Sequence, residues 1–114
     1  MTVYVDDVRL SYRQMVMCHM WADTLDELLE FADKIAVPRK HLQKPPHASW
    51  VHFDIALSKK KLAIKFGAVL TDKYGPMEHC ANLEIATNEP VRVTRANAML
   101  ANIAKCRAFD RRIS

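Results

Sequence analysis

Trp50, His52 and Asp54 alternate with Val51, Phe53 and Ile55. Successive side chains of an extended chain point to opposite faces, so the first three share a face. They stand about 7 Å apart along the strand. An imidazole and a carboxylate at that spacing can share a metal ion or orient one another for acid–base work. The competing account is a half-exposed strand face with a coincidental polar pair. A second imidazole, His19, interrupts the apolar run from Met15 to Trp21. A histidine in such a run is most often a core residue bonded to a backbone carbonyl. A ligand or general base is the less common alternative, and the aspartate four residues on lends it support. Asp6-Asp7 closes the strand opened at Thr2. Carboxylates there can hold a divalent cation or act as acid and base, or they can cap a turn. Because neighbours on a strand diverge, at most one of them faces a given pocket unless the chain bends. The expected metal set is Asp6, His19, His52 and Asp54, with Mg, Mn or Zn as the ion. His19, His52 and Asp54 are the expected catalytic groups.

A second group of residues points to anions. Ser58 to Gly67 reads as a helix with Ser58 as N-cap and Gly67 as the left-handed stop. Lys59, Lys60 and Lys61 fill its first turn, where the helix dipole favours negative charge. A bound phosphate would offset that repulsion through the free N–H groups. A nearby acid such as Asp54 would do the same, or the protein tolerates the cost. Arg39, Lys40 and Lys44 crowd the segment just upstream, and Trp50 could stack a base. The expected ligand-binding set is therefore Arg39, Lys40, Lys44, Trp50, Ser58, Lys59, Lys60 and Lys61.

The overall charge agrees with this division. Residues 1–37 carry −4 and residues 38–114 carry +8, within a net +4. A segregated positive half suits a phosphate-bearing partner, or simply matches the acidic half of its own chain. The 114 residues fit one domain, and half of them are hydrophobic, enough for a small core. The N-terminus is acidic where a secretory signal would be basic, and no run of about 18 apolar residues exists, so neither export nor a membrane span is expected. Cys18, Cys80 and Cys106 are odd in number and lack CxxC spacing, which suits reduced thiols in a cytoplasm.

The elements that must position these groups follow from patterning. Short strands are expected near 2–5, 15–21, 50–55 and 68–71, with Val8 to Gln14 a polar connection. Thr24 and Glu27 form a capping box, and Leu25, Leu28, Leu29, Ala32, Ile35 and Ala36 make one helical face. Val37-Pro38 ends that helix. A helix over Met77 to Ala86 follows, then a last one capped by Thr94, with Ala96, Met99, Leu100, Ile103 and Cys106 on its stripe. The fold class is α/β: a small mixed or mostly parallel sheet of 3–4 strands covered by helices. Residues 1–75 form its core and 76–114 a helical extension of the same domain, one that could pair with a copy of itself as a homodimer.

Tyr4-Val5-Asp6-Asp7, the block His19-Met20-Trp21-Ala22-Asp23-Thr24-Leu25-Asp26-Glu27-Leu28, and Trp50 to Ile55 followed by Ser58-Lys59 and Gly67-Ala68 resemble the family called domain of unknown function 4031. The resemblance covers roughly residues 1–75. That family often has glycine at the end of the first helix, where Ala36 stands here. The resemblance implies a bacterial or bacteriophage cytoplasmic origin and supplies no activity. The function expected from the residues is binding of a nucleotide, nucleic acid or other phosphate-bearing ligand, with metal-assisted phosphodiester hydrolysis as its sharper form. The alternative is a protein-interaction module, such as a phage-encoded modulator of a host protein, working through the last helix or the Pro45-Pro46 loop.

Overall fold

A computed structural model describes residues 2–113. Met1 and Ser114, the outer bounds of the expected division, lie outside them. The chain separates into two compact units, one ending at Lys73 and the other beginning at Tyr74.

In the first unit, β-branched and aromatic runs form Val3–Val5 (β1), Leu10–Tyr12 (β2), Met15–Ala22 (β3), Phe53–Ala56 (β4) and Val69–Leu70 (β5). The eight residues of β3 contain no glycine or proline, and the other strands are organised around them. Met17 lies opposite both Leu10 and Ala56, and Met20 opposite both Val5 and Phe53. Hence β4 takes one edge of β3, while β1 and β2 share the other as a single antiparallel strand interrupted at residues 6–9. β5 joins β1 in parallel, which makes the five-stranded sheet mixed. β2 occupies part of the expected polar connection. Its hairpin turns through Arg13 at φ 55°, without the Asn-Gly or Gly that usually announces such a turn.

Leu25–Lys34 (α1) and Leu57–Lys65 (α2) pack on the face that carries Val5, Cys18, Met20, Phe53 and Ile55. Leu28, Ala32, Ile35 and Ala63 complete that core. Full burial of side chains the size of Met20 and Phe53 stabilises by about 1.5–3 kcal/mol each. The capping box forms: the Glu27 N–H donates to Thr24 Oγ1 at 3.3 Å, and the hydroxyl donates to Glu27 Oε1 at 3.0 Å. α1 ends with Ala36 at φ 59°, while Val37 N–H reaches the Ala32 carbonyl at 2.8 Å and Ala36 N–H the Asp33 carbonyl at 3.1 Å. That pair of bonds is the usual glycine-type helix stop, here made by an alanine. α2 stops in the same way at Gly67, φ 105°. Its start differs from expectation. β4 runs directly into α2, so Ala56 is the N-cap and Ser58 lies inside the first turn without a capping bond. The cause is register: pairing with β3 continues to Ala56 opposite Met17, and the chain coils at the next residue. A 3-10 turn, Arg39–His41, follows α1.

The second unit is a pair of helices, Gly75–Ala86 (α3) and Pro90–Ile113 (α4). Asn88, at φ 58°, turns the chain between them. Glu89 caps α4, accepting from the N–H groups of Val91 and Arg92 at 3.3 and 3.0 Å, so the helix starts at Pro90 rather than at Thr94. Proline suits that first position because its missing N–H would be unsatisfied anyway. Ala81, Ala96 and Ile103 are buried, whereas Met99 is exposed and leaves the expected stripe. Tyr74 donates to Asp110 at 2.8 Å and Arg107 to Glu78 at 2.8 Å. No helix among the described residues is long and apolar enough to cross a membrane.

Candidate functional site

The interruption between β1 and β2 determines what Asp6 does. From the Asp6–His19 pair to the Leu10–Met17 pair, three residues stand against Cys18 alone, which is a bulge. The Asp6 N–H still donates to the His19 carbonyl at 3.2 Å. The His19 N–H, however, donates to Asp6 Oδ1 at 3.0 Å. The side chain thus takes an acceptor place in the ladder, and Oδ1 also accepts from Val8 N–H at 3.4 Å. Oδ2 lies 2.6 Å from His19 Nδ1. A fully buried carboxylate is strongly unfavourable unless it is paired and hydrogen-bonded, and these three contacts meet that requirement. Its bond to His19 is the main reason that the imidazole pKa is raised; burial opposes the shift and the charges of Asp6 and Asp54 add to it. With Nδ1 held by Asp6, Nε2 is the nitrogen that His19 presents elsewhere. Asp6 is therefore a support behind His19, while Asp7 is exposed and pairs with Lys60.

His52 is fixed in the same sense. Its Nδ1 lies 3.1 Å from the Trp50 carbonyl, which can only accept, so Nδ1 carries the proton and Nε2 faces away from it. The backbone of His52 is held by an isolated bridge to Gln43: Gln43 N–H to the His52 carbonyl at 2.8 Å, and His52 N–H to the Gln43 carbonyl at 3.0 Å. Gln43 Nε2 also donates to Asp54 Oδ2 at 3.2 Å. Asp54 Oδ1 is then left buried without a hydrogen-bond partner. It lies 3.4 Å from His52 Nε2 and 3.9 Å from His19 Nε2, beyond a firm hydrogen bond. His52 first, and His19 after it, hold the Asp54 carboxyl below the usual carboxylate range, against the effect of burial.

His19 and Asp54 face one another across β3 and β4, and His52 joins them from the segment before β4. One ligand atom from each lies within 4.8 Å of the others. Ligands about 2 Å from a shared ion stand roughly 3–3.5 Å apart, so a small contraction would bring all three into one coordination sphere. Ring packing restrains the imidazoles further. His52 stacks on Trp50 with centroids 4.2 Å apart, and Trp50 meets Trp21 edge-on at 5.6 Å. Trp21 in turn stacks on Tyr4 at 5.7 Å. Trp50 thus contributes to the wall of the cluster, and one ring face lies on His52.

The cationic residues do not gather in the same manner. Arg39 grips Asp33 with Nε and a terminal nitrogen, at 3.0 and 2.8 Å. Lys59 Nζ donates to the Ile35 carbonyl at 2.9 Å, a cation placed at the C-terminal end of α1, where the dipole favours it. Lys60 Nζ donates to Asp7 Oδ1 at 3.0 Å. Lys44, Ser58 and Lys61 are exposed. Lys40 and Lys59 line a cavity of about 760 Å³ that Gln43 and Asp54 also line. Nothing in the sequence marks Gln43 as part of the site; as the end of a short helix after Pro38 it would be a plain surface residue, and the turn stops at His41. Gln43 sits just before Lys44-Pro45-Pro46 with no periodicity to mark it, and only the pairing of its segment with His52 shows what it does.

A protein-family model described as a protein of unknown function, DUF4031, matches residues 3–82. No curated protein and no solved structure matches the chain.

Proposed function

Since the chain belongs to the DUF4031 family, which brings no activity with it, we propose a function from the site itself: His19, His52 and Asp54 hold a divalent metal ion that acts on a phosphate-bearing ligand. The observation that carries this reading is the orphaned Asp54 Oδ1, buried between two imidazole Nε2 atoms whose Nδ1 partners are already engaged. With both imidazoles neutral, three lone pairs face one another and repel. A cation among them converts that repulsion into attraction, and a dication does so more strongly than a proton on His19. Each imidazole has an acceptor behind it and the carboxylate has an amide beside it, the outer support that metal ligands usually have. Two imidazoles favour zinc over manganese or magnesium, which prefer oxygen ligands and water.

Three protein ligands leave positions open for water and substrate. An ion there would polarise a phosphoryl oxygen and bring the pKa of a bound water to about 7. In this reading Asp6 holds the His19 proton at Nδ1, Gln43 holds Asp54 Oδ2 away from the ion, and Lys40 and Lys59 supply positive charge beside the reacting group. The chemistry is metal-assisted hydrolysis of a phosphodiester.

Calorimetric titration with Zn²⁺ or Mn²⁺ tests the centre. The expected result is one ion per chain and a raised Tm, both lost in His52→Ala. Absence of binding to the native protein would sink the reading. Release of p-nitrophenol from bis(p-nitrophenyl) phosphate by the loaded protein tests the chemistry.

A further inference from the structure

Binding an ion does not account for the cavity beside the cluster. Its walls differ in chemistry. The β2–β3 hairpin lends Leu10, Tyr12, Met15 and Met17 to an apolar side. Lys40 and Lys59 stand on the wall as cations, and Asp54 is its carboxylate. Asp54 also belongs to the histidine cluster, so cavity and cluster meet at one side chain. With a dication on Asp54, the remaining formal charge of the wall is positive. Lys40 has no ion pair among the described residues, and the Lys59 ammonium bonds a backbone carbonyl rather than an acid. The volume of about 760 Å³ falls within the range of small-molecule sites.

We propose that this cavity is the substrate pocket of the metal centre and takes a small phosphoester with an aromatic or apolar organic group, of nucleotide size. The proposal rests on the metal reading given above. The phosphoryl group lies at the Asp54 end, within the field of Lys40 and Lys59. The organic group lies against Leu10, Tyr12, Met15 and Met17. A nucleic-acid polymer fits these observations less well. Strand binding needs a basic track along successive phosphates, whereas Arg39 and Lys60 are neutralised by Asp33 and Asp7.

The test compares phenyl phosphate, inorganic phosphate and a 15-nucleotide single strand as ligands of the zinc-loaded protein, by calorimetry. Phenyl phosphate should bind at least about tenfold more tightly than inorganic phosphate, because the ring is buried. Lys40→Glu should weaken phenyl phosphate by about tenfold or more and leave zinc affinity unchanged. Leu10→Ser should weaken phenyl phosphate while leaving inorganic phosphate as it was. Both substituted positions are exposed, so the core is untouched. Equal affinity for the two phosphates, indifference to both substitutions, or tighter binding of the single strand would each overturn the proposal. If the native protein takes no zinc, the metal reading fails and the same comparison is made on the metal-free protein. A preference for phenyl phosphate that Lys40→Glu removes then keeps the pocket, and no preference ends it too.

Discussion

At the His19–His52–Asp54 cluster, three hydrogen-bond acceptors converge and one buried oxygen is left without a partner. At the start of α2, three lysines follow one another, and two of them already have partners within the chain. Both regions stand out in the sequence as candidate sites. The difference is whether the fold has finished satisfying them. The lysines close contacts of the scaffold: Lys59 ties α2 to the end of α1, and Lys60 ties it to Asp7. The cluster is held by everything around it and remains electrostatically incomplete at its centre. An unmet requirement, more than a concentration of charge, marks the place where a ligand would add free energy.

That contrast can be broken most directly by exchanging the substitutions. His52→Ala or His19→Ala should reduce zinc affinity by more than the roughly 100-fold that loss of an outer support can cause, while Lys60→Glu leaves it unchanged. Calorimetric titration of the three variants reads both halves at once; equal losses would erase the distinction. A smaller effect is expected from Asp6→Asn. The amide can still accept, but the charge behind His19 is gone, and zinc affinity should fall by about 10–100-fold. The same variant should melt earlier, because the bond to the His19 imidazole loses its charge.

Acidity separates the two regions again. His19 has a folded pKa raised above the ordinary value of about 6.5, chiefly by Asp6. Its contribution to stability is fully present below that ordinary value and is lost as the pH rises through the raised one. Thermal melts of the metal-free protein should show this decline at the alkaline side, and His19→Gln should flatten it. Zinc affinity should run the other way, falling by about tenfold per pH unit as the pH drops below the same raised value, since the proton and the ion compete for Nε2. The lysine region gives the mildest signal. Lys59→Met removes a single bond to the Ile35 carbonyl and should cost about 1 kcal/mol in a denaturant melt, without any change in zinc binding.

Much of this frame is legible in the residues. Period-two alternation sets His52 and Asp54 two residues apart on one face, and they do meet in the cluster, although the strand begins only at Phe53 and Trp50 lies in a bend before it. The capping box starts α1 where Thr24 and Glu27 indicate, and Gly67 ends α2. What escapes is set by pairing between distant segments. The bulge that turns Asp6 from a ligand into a support depends on how many residues oppose Cys18, and no local pattern encodes that number. β2 carries no turn-forming signal because Arg13 takes the left-handed conformation in place of glycine. Ser58 and Thr94 look like caps and are not, because strand pairing fixes the start of α2 and a glutamate four residues upstream of Pro90-Val91-Arg92-Val93's end, Glu89, fixes that of α4. Ala36 forms a glycine-type stop because its neighbours Ile35 and Val37 are buried and hold the chain in that turn.

The bridge between Gln43 and His52 has a further consequence. His19 lies in a strand with neighbours on both edges, whereas the backbone N–H and C=O of His52 bond through a two-bond latch outside any named strand. Such a latch opens at a lower free energy than the strands it adjoins. The amide protons of Gln43 and His52 should accordingly trade with solvent deuterium sooner than that of His19, and whatever bridges the two imidazoles would also bolt the latch shut.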